Sequence, residues 1–116
     1  MNSKIIKICV PAAIRSEDLN FEIDARFGRC NFFIFAEIVN GKIANIKAAK
    51  NNAAAQSGGA GISAAEQVAD SGVNILFAEN IGPKADNVLR QLDIKTIAAS
   101  GLAADAVTQY IKANLI

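Results

Sequence analysis

Histidine and tryptophan are absent from this chain, and cysteine, proline and aromatic residues are scarce, with 2 Cys, 2 Pro and 6% aromatics. Without histidine there is no imidazole general base, no Ser–His pair and no His-containing zinc site. Cys9 and Cys30 are too few and too irregularly placed for a disulfide framework. Charge of either sign is also in short supply. The net charge is +1, with no dense Lys/Arg stripe and no basic–aromatic interleaving. A long polyanion is therefore not attracted by field alone, and no nucleic-acid partner is expected. No membrane-length apolar run occurs, and no secretory h-region follows Met1-Asn2-Ser3-Lys4. These absences predict a cytoplasmic protein with no membrane partner.

What is present is enough apolar residue for a core. Of 116 residues, 52% are hydrophobic and 20% charged, which predicts one packed domain over residues 1–116. Lys4 to Val10 alternates as a strand, and Pro11, which has no N–H, is expected to stop it. Residues 12–29 read as a long irregular connection, a length that favours a functional loop. Phe32 to Val39 is strand-like, Asn40-Gly41 marks a tight hairpin, and Ile43 to Ala49 returns. Ile43, Asn45 and Lys47 share parity, so this third strand has a wet face or lies at an edge.

After Asn51-Asn52 the period changes from two to about 3.6. Ile62, Ala65, Val68 and Ala69 form a helical stripe that Gly72 ends. Val73 to Ala78 reads as a buried strand. Pro83 opens a helix carrying Val88, Leu89 and Leu92. Ile94 to Ala98 is a fifth strand, and Leu102, Ala106, Val107, Tyr110 and Ile111 line a last helix. The order β-β-β-α-β-α-β-α predicts an α/β fold with a mixed five-stranded sheet, in two or three layers.

Three segments reach the carboxyl ends of the strands, where α/β folds bind ligands. One is Ser57-Gly58-Gly59-Ala60-Gly61-Ile62, bare backbone just ahead of a helix. It is neither a Walker A loop nor a strict G-x-G-x-x-G. It reads either as a close-packed helix entry or as a loop whose Gly58, Gly59 and Gly61 aim N–H groups at an anion. The second is Glu79-Asn80-Ile81-Gly82-Pro83, either a plain connector or a turn in which Asn80 and Gly82 contact a ligand. The third is Arg26-Phe27-Gly28-Arg29-Cys30. Its two guanidinium forks suit an anion, and they would lower the pKa of Cys30 enough to make a thiolate ligand. The plain alternative is a buried cysteine. Cys9, inside a strand, reads as core. Glu17, Asp18, Glu22 and Asp24 read as a solvated loop, and Ser57 and Ser100 have no catalytic partner, so no enzymatic constellation is expected.

Phe27-Gly28-Arg29, the Gly58-Gly59-Ala60-Gly61 helix entry and Asn80-Ile81-Gly82-Pro83, in this order, resemble the dinitrogenase iron-molybdenum cofactor biosynthesis family over nearly the whole chain. The resemblance implies a ribonuclease-H-like architecture without that enzyme's carboxylate centre. It implies a non-enzymatic carrier or assembly factor for an iron–sulfur or iron–molybdenum cluster precursor, with metallocofactor assembly proteins as partners. Some carriers of the family use histidine to bind cluster. This chain has none, which leaves Cys30, Arg26, Arg29 and loop N–H groups. A different expectation is a metal-independent module for a phosphate-bearing small molecule or a protein partner. The hairpin strand either offers an edge to a second copy or, guarded by Lys42 and Lys47, leaves a monomer.

Overall fold

The hairpin turn forms as its residues dictate: Asn40 and Gly41 both take positive φ, 52° and 79°. It joins β2 (Phe32–Val39) to β3 (Lys42–Lys50). The remaining elements are β1 (Ile5–Ala12), α1 (Ala60–Asp70), β4 (Ile75–Ala78), α2 (Pro83–Gln91), β5 (Lys95–Ala98) and α3 (Ala103–Asn114). The computed structural model describes residues 4–114 and 116. The sheet order is β3-β2-β1-β4-β5. β1–β2 and β2–β3 are antiparallel, and β1–β4 and β4–β5 are parallel. It is a mixed five-stranded sheet, as the repeated β-α units and the hairpin require. β1, β3, β4 and β5 therefore all point the same way and finish at the same end of the sheet, where the long loop, α1, α2 and α3 begin.

Alternation along the central strands supplies two cores, so the domain has three layers. Cys9, Phe33, Leu76 and Ala78 face α1 and α2, against Ala64, Ala65, Val68 and Leu89. Ile8, Val10, Ile34, Ile75 and Phe77 face α3, against Ala103 and Val107. Burying Val68, Leu89 and Val107 completely contributes about 1.5–3 kcal/mol each. Alanine on α1 keeps the helix close to the sheet. Leu92 lies beyond α2 as its C-cap and is exposed, so the apolar stripe of α2 ends one turn earlier than expected.

β3 lies at an edge of the sheet, as its partly wet face predicts, while Pro11 and the parity along β3 depart from expectation. Pro11 does not stop β1; it pairs with Phe33. Its carbonyl turns away from β2 to accept the N–H of Asp24 at 3.0 Å, so the donor it lacks is not on the β1–β2 ladder. In β3 the parity breaks, because Asn45 and Ile46 together oppose Ala36 across a bulge, with Asn45 at φ 53°. Ile43, Ile46 and Ala48 consequently share the α3 face.

The long loop carries no helix or named strand, as expected, yet it is packed into the core. Leu19, Phe21 and Ile23 are buried in the α3-side core. The carbonyls of Leu19 and Phe21 accept the N–H groups of Ala104 and Ala103 at 2.9 and 2.8 Å, which plugs the start of α3.

Candidate functional site

The starts of α1 and α2 are not plugged in this way. Gly59, the N-cap of α1, sits at φ 69° with no side-chain cap bond, and the first helical bond runs from the N–H of Ser63 to its carbonyl at 3.0 Å. Gly82, the N-cap of α2, is extended and also lacks a side-chain cap, with Asp86 N–H bonding its carbonyl at 2.9 Å. α1 thus presents N–H groups from Ala60 onward and α2 from Lys84 onward, Pro83 having none, each with the positive end of its dipole.

Small residues bring the two starts together: a Cβ built on Gly61 would lie 3.4 Å from that of Ala85. Between them is an open cleft of about 400 Å³, lined by Phe27-Gly28, by Gly59 to Ile62 and by Gly82 to Ala85. Phe27, Ile62 and Pro83 give it apolar walls. Lys84, in the first turn of α2, is the charged side chain among its described lining residues.

The Phe27–Cys30 loop is fixed against this cleft by a buried residue that belongs to no motif in the sequence. Asn51 is 1% exposed. Its Nδ2 donates to the carbonyls of Gly28 at 3.1 Å and Cys30 at 2.9 Å, and its Oδ1 accepts from Ala53 N–H at 3.0 Å. Phe27 anchors the loop by packing on Phe33, with ring centroids 5.7 Å apart. Gly28 then lies over the first turn of α1, where a Cβ would come within 2.9 Å of Gly61 N. The missing side chain at Gly28 is what lets the loop pack this closely on the first turn of α1.

The sequence-derived residues divide into two groups. Gly59, Gly61 and Gly82 come together at the cleft. Gly58, Asn80, Arg26, Arg29 and Cys30 are not among its lining residues. Arg26 forks onto Asp24, with Nε to Oδ1 at 3.2 Å and the second arm to Oδ2 at 3.0 Å. The hydrogen bonds from Arg26 hold the Asp24 carboxyl below its ordinary range. The Asp24 side chain is 6% exposed, so this member of the acidic loop is paired rather than solvated. Arg29 donates to the carbonyls of Ala54, at 3.1 Å, and Gln56, and so ties two loops together. Cys30 is fully buried, and its Sγ donates to Phe27 O at 3.2 Å.

Burial, then the nearby Asp24 charge, push the Cys30 thiol up to about 12. The expected lowering by the two arginines does not occur, since one faces Asp24 and the other backbone carbonyls. Burial also holds Cys9 well above the ordinary thiol value. Among the described residues, no three Cys, Asp or Glu side chains gather where they could hold a metal ion. Cys30 is thus a buried thiol outside the cleft, whose backbone N–H groups and Lys84 ammonium suit an anion. The signal for Lys84 was its place one residue after Pro83. Asn51 gave no such signal, because its partners are backbone carbonyls distant in sequence.

A model of the family described as "dinitrogenase iron-molybdenum cofactor" matches residues 7–113. This chain belongs to that family. An uncharacterized protein of Methanocaldococcus jannaschii is 36% identical over 102 residues, 88% of this chain and 81% of that protein. The apo form of the orange protein from Desulfovibrio gigas superposes with a TM-score of 0.75 at 32% identity, covering 98% of this chain and 90% of the other. A Thermotoga protein provisionally assigned as NifB superposes with a TM-score of 0.69 at 21% identity, covering 93% and 88%, a likeness that bears on fold alone. Among the described residues, no helix is long and apolar enough to cross a membrane.

Proposed function

We propose that this family member is a non-enzymatic carrier that takes an anionic iron–sulfur or iron–molybdenum cluster precursor as cargo in the cleft between the starts of α1 and α2. The observation that carries the reading is the convergence of two helix starts without side-chain caps on one open cleft beside Lys84. Backbone N–H groups and an ammonium suit the negative charge of such a cluster, and the apolar walls of Phe27, Ile62 and Pro83 suit its sulfur surface. The cargo is held without a protein thiolate, so release needs no metal–sulfur bond to Cys30 to break. Among the described lining residues the titratable side chain is the Lys84 ammonium, a donor suited to holding an anion. Delivery to a cytoplasmic metallocofactor assembly protein belongs to this reading.

Anaerobic reconstitution with ferrous iron and sulfide, with and without molybdate, tests it by metal analysis per folded chain. The expected result is uptake in the wild type, reduced uptake in Lys84→Ala and retained uptake in Cys30→Ser. No uptake by folded wild type overturns it. The same donor set also suits phosphate, which favours a metal-independent second reading. A thermal shift with phosphorylated metabolites and no response to iron would support that one instead.

A further inference from the structure

The two edges of the sheet are built differently. β3 carries exposed Lys42, Lys47 and Lys50 and a bulge at Asn45–Ile46, devices that discourage strand addition. β5 has no bulge and no proline, and its one exposed lysine lies over α3, with Lys95 Nζ 5.5 Å from the Tyr110 ring centroid. Lys95 and Ala99 donate their N–H groups inward, to Asn74 O at 3.0 Å and Ala78 O at 3.1 Å. By the period of two, Thr96 and Ala98 turn their N–H and C=O groups to the open edge.

We propose that β5 pairs antiparallel with β5 of a second copy, about a two-fold axis at Ile97, and joins the two sheets into one. In this register Thr96 and the partner's Ala98 exchange both backbone hydrogen bonds, and Ala98 does the same with the partner's Thr96. Ile97 faces the partner's Ile97 as a non-hydrogen-bonded pair, the arrangement that brings side chains closest. The partner's Lys95 then stands opposite Ala99 on the α3 face. A hollow of about 570 Å³ lies there, lined by Ala99, Leu102, Asp105 and Tyr110.

Asp105 has no ion-pair partner among the described residues. Symmetry therefore forms two Lys95–Asp105 pairs at once, which makes the edge self-complementary and selects a second copy over an unrelated strand. Centring the axis on Thr96 instead would set Lys95 opposite Ile97, away from Asp105. Four-residue strands bury less than the roughly 1,600 Å² of a standard interface, so the association depends on concentration.

Sedimentation equilibrium from micromolar to millimolar chain tests the proposal. The expected mass climbs from 12.2 kDa toward twice that value. Ala98→Pro removes an outward N–H without touching the β4 ladder and should abolish the climb, with circular dichroism as the folding control. Lys95→Glu should also abolish it, and adding Asp105→Lys should restore it. A wild type that stays monomeric at millimolar concentration overturns the proposal. So does a dimer that survives in folded Ala98→Pro, or a Lys95→Glu/Asp105→Lys pair that fails to re-form it.

Discussion

Replacing Gly28 with alanine puts one methyl group where the structure has least room for it. The new Cβ would lie 2.9 Å from Gly61 N, 3.0 Å from Gly61 Cα and 3.2 Å from the carbonyl carbon of Ala60. All three are backbone atoms, so no side chain can swing away, and relief needs loop and helix to separate by about half an ångström or more to regain normal contact. The loop resists that movement. Asn51 holds the Gly28 and Cys30 carbonyls, and Phe27 is buried against Phe33. Overpacking of this kind costs about 1–3 kcal/mol. Gly58→Ala is the matched control, since nothing lies within 4 Å of its Cβ and its backbone is not left-handed. It should be neutral or slightly stabilising through the unfolded chain. Urea denaturation of the three proteins, at unchanged m-value, reads the difference, and anaerobic metal uptake reads the cleft. Gly28→Ala as stable as Gly58→Ala, with wild-type uptake, would refute the reasoning.

Asn51→Ala should cost about 2–4 kcal/mol in the same denaturation assay, because it strands buried carbonyls of Gly28 and Cys30 together with the Ala53 N–H. Arg29→Ala should lower stability by about 1 kcal/mol through the lost ties to Ala54 and Gln56, yet leave metal uptake close to wild type. For pH, the Cys30 thiol has an ordinary value of 9.0 and is pushed up to about 12 in the fold. The folded state therefore holds its proton longer than the unfolded chain. The stability it confers is whole below about 9 and falls by about 1.4 kcal/mol per pH unit between there and about 12. Cys30→Ser should flatten the part of an alkaline denaturation series that Cys30 contributes, leaving the part due to Cys9.

Much of the fold was legible because the signals were local. Asn40-Gly41 dictated a hairpin through φ alone, and the switch from period two to period 3.6 after Asn52 placed α1. What sequence could not show was which direction a group faces. Pro11 reads as a strand stop until its carbonyl is seen to turn toward Asp24. The parity of Ile43, Asn45 and Lys47 holds only without a bulge, and Asn45 is among the few residue types that take a positive φ cheaply. The alternation Leu19, Phe21, Ile23 was a strand-like signal obscured by the charges between.

The glycines of the cleft were legible for a simple reason: a bare backbone before a helix has few uses. The arginines were not, since a guanidinium is as apt for Asp24 or a carbonyl as for an external anion. For Cys30, the plain alternative of a buried thiol describes the environment found. Two arginines nearby in sequence do not face the sulfur, and burial dominates.

The central claim is that the backbone N–H groups at the starts of α1 and α2, rather than the cysteines, hold the cargo. Amide ¹H–¹⁵N spectra of the chain before and after anaerobic loading with ferrous iron and sulfide test it most directly. The account predicts that Gly61 and Lys84 amides shift or broaden beyond detection, while Ala103 and Ala104, plugged by Phe21 and Leu19 carbonyls, stay in place. Loading that leaves Gly61 and Lys84 unmoved and perturbs Cys9 and Cys30 instead would contradict it.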